Sequence, residues 1–274
     1  MKDKIKVAIC YDFDKTLSPC NMQEFGFMDA LGTTPNEFWD KSDTLAAQGG
    51  GDNNLAYMWL MLDESRRKGI GCTKDDFMKY GESIKLFNGV EEWFKRINAY
   101  GKELDIEVEH YLISSGLEDI VAGTTICKEF KQIYANKYFY DANGVPYWPS
   151  QLVNSTGKTE FMFRISKGCL NPKDRSVNNK TEPDSYKIPF TNMLYIGDGF
   201  TDVPCMSILR KYGGHTIGVY PPRKKGGSKT AKQLMADGRL DIFAPADYSE
   251  GSKIDNYVKS LLRKIKADYD LLNQ

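Results

Sequence analysis

Five short apolar runs, each ending in a polar or glycine-containing turn, constrain this chain more than any other feature. They are KVAICYDF (6–13), EHYLISS (109–115), NMLYIGD (192–198), HTIGVY (215–220) and DIFAPAD (241–247). Each has the length of a strand, and their near-continuous apolar character implies cover on both faces, as in a parallel sheet. Helical patterns at 90–100, 117–130, 158–167, 202–212 and 252–269 alternate with them. Strand–helix alternation of this kind predicts an α/β fold with a doubly wound parallel sheet and right-handed crossovers.

Residues 20–85 break the alternation. FGFMDALG, PNEFWDKSDTLAAQ and NLAYMWLMLDESRRKG read as helices, with the flexible tract QGGGDNN as a break between them. The expected organisation is an α/β core of residues 1–19 and 86–274, with an all-helical cap of residues 20–85 inserted after the first strand. Leu55, Met58, Trp59 and Leu62 fall at helical spacing and are expected in the core of that cap. Residues 133–153 read as a β-hairpin turning at Asn143-Gly144. The polar, proline-containing stretch 169–190 reads as an exposed, mobile loop, and the basic run PPRKKGGSK (221–229) as a solvated one.

Composition narrows the partners. Lys plus Arg and Asp plus Glu both number 37, so the chain carries no charge imbalance that would draw it to nucleic acid or an anionic membrane. No apolar run approaches the ~20 residues of a membrane span. Six scattered cysteines without C-x-x-C pairs, and only two histidines, fit reduced thiols in a cytoplasmic protein better than a zinc site or a disulfide framework.

The first run ends in Asp12 and Asp14, two carboxylates where burial of like charge is costly. In open α/β sheets, ligands bind at the carboxyl ends of strands. The other runs end in Ser114-Ser115-Gly116 and in Asp198, with Asp202 four residues on, and Lys158 opens a helix between them. A phosphate monoester would give each residue type work. A carboxylate can attack phosphorus, and a second acid can protonate the leaving alkoxide. Mg²⁺, held by Asp12, Asp198 and the backbone carbonyl of Asp14, would offset the paired acids together with Lys158. Ser114 and backbone N–H groups would hold phosphoryl oxygens.

Taken together, DFDKT (12–16), ISSG (113–116), Gly157-Lys158 and GDGFTD (197–202) resemble the haloacid dehalogenase superfamily in its phosphatase branch. The resemblance implies a Rossmann-like core, Mg²⁺ dependence and an aspartyl-phosphate intermediate. By matched position it makes Asp12 the nucleophile, Asp14 the acid/base, and Asp198 a metal ligand. Thr16, Ser114, Ser115, Gly116 and Lys158 become phosphate-binding, and Asp202 supports the metal shell or Lys158. Dehalogenases lack an acid at the position of Asp14, which points to phosphoryl transfer. Lys15-Thr16 favours hydrolysis over the phosphomutase alternative, whose members usually have Gly-Val there. A non-hydrolytic phospho-acceptor would have no use for Asp14. The helical insert after the first motif is similar to that of phosphoserine phosphatases. Those enzymes carry an acid nine residues after the nucleophile to read the substrate ammonium, and this chain has Asn21 there, with Glu24 the nearest acid. Arg66 and Arg67 are open to two readings, a reader of substrate anions or a solvated helix end.

Overall fold

The computed structural model describes residues 4–182, 185–222 and 226–273. Arg223-Lys224-Lys225, the centre of the basic run, lie outside the described residues. Seven strands form one sheet in the order β4-β3-β2-β1-β5-β6-β7: β1 (Ile5–Tyr11), β2 (Ile106–Leu117), β3 (Gln132–Tyr140), β4 (Pro146–Gln151), β5 (Met193–Gly197), β6 (His215–Tyr220) and β7 (Ile242–Pro245). All neighbours pair in parallel except β3 and β4. The expected hairpin is present, but its first arm is also a parallel member of the main sheet, with Leu112 opposite Ile133. The order reverses between β1 and β5, so a crevice opens at their carboxyl ends.

Strand periodicity sorts β1 between two cores. Ile5, Val7, Ile9 and Tyr11 join the apolar layer formed with α5 (Val90–Glu103) and α10 (Lys253–Leu272). Ala8 and Cys10 face the layer of α7 (Lys158–Lys167) and α8 (Val203–Lys211). Trp93 of α5 is fully buried, and its indole N–H donates to Tyr11 Oη at 2.8 Å, so a large apolar side chain enters the core without an orphaned donor. His110 is buried against the same hydroxyl at 2.9 Å, and burial lowers its pKa to about 3. It is a neutral core histidine.

The helical segment comprises α1 (Gly26–Leu31), α2 (Pro35–Gly49), α3 (Asn53–Lys68) and α4 (Lys74–Glu82). Its starts and stops are local. Thr34 and Glu37 close a capping box ahead of α2, with Pro35 in the first turn, and Asp52 caps α3. Gly50 and Gly69 end the two helices in the left-handed conformation. Phe27, Phe38, Met58, Met61 and Phe77 share one apolar cluster with the sheet face beneath.

Three expectations change. Met58 and Leu62 are buried, but Leu55 and Trp59 are 42% and 52% exposed, one turn apart on the rim of α3 beside Tyr147 and Trp148 of β4. The helix expected at 117–130 stops early, as α6 (Glu118–Ala122). Gly123 ends it where the chain meets α4: a β-carbon there would overlap the carbonyl of Met78, and one on Gly81 would overlap that of Ile120. Finally, the described part of 169–190 is tied down. Arg164 donates to the carbonyls of Asn171, Pro172 and Asp174, each at 2.9 Å, and Lys167 to those of Val177 and Asn179. Pro183 and Asp184 lie outside the described residues. Two helices had no sequence-based counterpart, α4 and α9 (Lys229–Ala236).

Candidate active site

Asp12 and Asp198 each stand one residue beyond a strand, β1 and β5, on either side of the crevice. The Asp12 amide still donates to Ile196 O at 2.9 Å, which stitches the two strand ends together. Lys15 then adopts φ = 60°, a left-handed conformation uncommon for a residue with a β-carbon. The resulting turn carries the chain off the sheet just after Asp14.

Lys158 projects from the first turn of α7, whose start is set by Asn154: its side-chain oxygen accepts from the Gly157 amide at 2.8 Å. The ammonium group is 1% exposed and lies 2.7 Å from both Asp12 Oδ1 and Asp202 Oδ1. Asp202 is fully committed. Oδ1 also accepts from Tyr195 Oη at 2.7 Å, and Oδ2 from the amides of Asp198 and Gly199 at 3.1 and 3.3 Å. Gly197 is required here, since a β-carbon would overlap the Asp202 carboxylate. Asp14 Oδ1 accepts from the Met22 amide at 2.7 Å.

Charge in the site is unbalanced. Burial favours loss of the Lys158 proton, but Asp12 and Asp202 outweigh it and hold its pKa well above the ordinary value. Asp12 is pushed up to about 6 by burial, against the pull of Lys158. Burial and then the Asp12 charge push Asp14 up to about 8. Asp198 is raised well above the carboxylate range by desolvation, then by Asp202 and Asp12. Carboxylate oxygens of Asp12, Asp198 and Asp202 all lie within 4.8 Å of one another. With Asp202 spent on internal hydrogen bonds, Asp12 and Asp198 are the carboxylates left to a cation. Hard oxygen donors in this number suit Mg²⁺.

Asp12, Asp14, Ser115, Lys158 and Asp198 line one cavity of about 350 Å³. It shares Asp14, Lys15, Asn21, Ser115 and Thr201 with a second cavity of about 450 Å³ bounded by α2 and α3. The remaining expected residues stand behind this surface. Thr16 is buried, with its hydroxyl 3.4 Å from Asp12 Oδ2. Ser114 Oγ accepts from the Gly116 amide at 3.0 Å, which leaves its own proton to donate. Gly116 admits the Met22 side chain, which a β-carbon would overlap. Arg66 is exposed and faces the outer groove by Trp59 and Trp148, and Arg67 pairs with Asp63 at 2.9 Å. Neither lines the two cavities. Lys167, the other lysine of α7, is bound to loop carbonyls.

Two further contributors escaped the sequence reading. Tyr195 looks like an ordinary core aromatic of β5, yet its hydroxyl helps orient Asp202. Asn136 is fully buried in β3 and joins three segments. It donates to Ser115 O at 2.7 Å and to Tyr57 Oη at 2.8 Å, and accepts from the Val153 amide at 2.6 Å. A lone amide inside the aromatic strand QIYANKYFY was the available signal.

In strand order and in the helices set above the sheet, the chain shares the fold of a solved haloacid dehalogenase-family hydrolase. Solved phosphoserine phosphatases share this fold. The chain aligns with a phospho-aspartyl intermediate analogue of phosphoserine phosphatase at TM-score 0.58 and 16% identity, over 94% of this chain and 99% of the other. A substrate-bound phosphoserine phosphatase gives TM-score 0.56 at 16% identity, over 88% and 93%. A haloacid dehalogenase-family hydrolase from Salmonella enterica serovar Typhi gives 0.53 at 18% identity, over 77% of this chain. The chain spans 61% of that protein's length. In sequence, an uncharacterized protein of Borreliella burgdorferi is 28% identical over 280 residues, covering 92% of this chain and 95% of its own. No family model matches the chain. Among the described residues no helix is long and apolar enough to cross a membrane.

Proposed function

We propose that this protein is a cytoplasmic Mg²⁺-dependent phosphatase that hydrolyses a small phosphate monoester through a phosphoaspartate on Asp12. The supporting observation is the convergence of Asp12, Asp14, Lys158 and Asp198 on one cavity at the β1/β5 crevice. A phosphoserine phosphatase of the same fold exists as a phospho-aspartyl intermediate analogue.

In this reading a carboxylate oxygen of Asp12 attacks phosphorus as the ester P–O bond breaks, and the departing alkoxide takes a proton from Asp14. Asp14 then removes a proton from water, whose oxygen displaces the Asp12 carboxylate and releases phosphate. Lys158 and Ser115 face the phosphoryl oxygens at the cavity wall, and Thr16, Ser114 and Gly116 back that wall, the Ser114 hydroxyl keeping a proton to donate toward it. Asp202 and Tyr195 position Lys158. Asp12, Asp198 and the Asp14 carbonyl would hold Mg²⁺, which when bound supplies positive charge between the anionic nucleophile and the anionic ester. The cap, residues 20–85, closes the leaving-group side against water.

Hydrolysis of p-nitrophenyl phosphate with Mg²⁺ and with EDTA tests this. Activity is expected with the metal only, and Asp12→Asn is expected to reduce it ~10⁴-fold or more while the protein still folds. Undiminished turnover by that variant would exclude Asp12 as nucleophile.

A further inference from the structure

We propose that the chamber beneath α2 and α3 receives the uncharged, polyhydroxylated leaving group of a sugar or polyol monophosphate. This inference rests on the phosphatase reading and names its substrate class.

The chamber of about 450 Å³ is of small-molecule size and opens onto the cavity that holds Asp12. Its polar lining is dominated by neutral groups: Asn21, Gln23, Ser42, Asn53 and Asn54. Gln23 is 1% exposed, and its side-chain oxygen is buried with no hydrogen-bond partner. A buried acceptor left unpaired is costly, and because Gln23 lines the chamber, a small rotation of its amide presents that oxygen to a donor bound there. A ligand hydroxyl meets that demand at no charge cost.

Few groups suited to an amino-acid leaving group line this surface: among the described residues Lys15 is the chamber's one cation, and it borders both cavities next to the reacting acid Asp14. Among the described residues, neither cavity is lined by an arginine that could pair with a substrate carboxylate. Glu24 is held away by its hydrogen bonds from Asn21 and from the Trp39 indole, the latter at 3.0 Å. Asp43 is the one chamber acid besides Asp14, and it already accepts from Asn53 at 3.3 Å. The amides and the aromatic faces of Trp39 and Tyr57 offer alternating polar and apolar contact, which matches the O–H and C–H surfaces of a sugar.

The test is a comparison of kcat/KM, with Mg²⁺, for p-nitrophenyl phosphate, hexose, pentose and glycerol phosphates, phosphoserine and phosphocholine. At least one sugar or polyol ester is expected to exceed phosphoserine and phosphocholine by tenfold or more. Gln23→Met keeps the size of the side chain and removes the acceptor. It is expected to lower the ratio of sugar-ester to p-nitrophenyl phosphate turnover by about tenfold. Asn53→Ala, at an exposed position, should lower the same ratio by about threefold and serves if the first variant fails to fold. Hydrolysis of p-nitrophenyl phosphate with phosphoserine or phosphocholine preferred would overturn the substrate class alone, as would an unchanged ratio in the folded variants. No turnover of any ester would overturn the phosphatase reading and this inference with it.

Discussion

Helix α7 buries two cations six residues apart, and they are satisfied in opposite ways. Lys158 at its start meets carboxylates, Asp12 and Asp202. Arg164, 4% exposed near its end, meets backbone carbonyls of the following loop and Glu160 at 2.7 Å. The guanidinium plane presents several donors in a fixed fork, which suits a ring of carbonyl oxygens. The ammonium is a compact charge, and it leaves neighbouring acids with oxygens facing a cavity. One end of the helix organises a loop and the other concentrates charge.

This contrast can be broken by substitution. The largest effect is expected for Lys158→Met, which strands two buried carboxylates. Loss of about 3–5 kcal/mol in urea unfolding of the metal-free protein is predicted, along with loss of turnover. Arg164→Met should cost about 1–3 kcal/mol and expose residues 169–179 to limited proteolysis, with turnover kept within about twofold. An activity loss matching that of Lys158→Met would erase the distinction. Asp198→Asn removes one of several crowded acids. The metal-free variant is expected to be about 1 kcal/mol more stable than the parent. Mg²⁺ should raise the Tm of the parent but not of this variant in a thermal scan. The smallest change is expected for Lys167→Ala, about 0.5–1 kcal/mol from two lost carbonyl contacts and no change in kcat.

The acids of the candidate site were visible as local pattern because they stand where apolar runs stop. Asp12 and Asp198 follow strands in sequence and in space, and Lys158 opens a helix where the macrodipole disfavours a cation, which sets it apart from Lys167. Other features had no local mark. Leu55 and Trp59 share the spacing of Met58 and Leu62, and the direction in which α3 faces its neighbours decides which pair is buried. The 169–190 loop reads as polar and loose, yet Arg164 ties it from a helix whose pattern is that of any amphipathic segment. Tyr195 and Asn136 act through one polar atom each inside apolar strands, and a single atom leaves no periodicity to detect.

By itself the chain's order of apolar runs and turns determined the parallel sheet, the helical insert and the acids at strand ends, since backbone periodicity and burial act over a few residues at a time. Only the tertiary structure decided that Lys158 bridges Asp12 to Asp202, and that Ser42 of α2 and the neutral amides of α3 and of the turn at Asn21 face one chamber. Those contacts join residues on different elements, Lys158 and Asp12 from opposite halves of the chain, and packing between layers is the force that selects them.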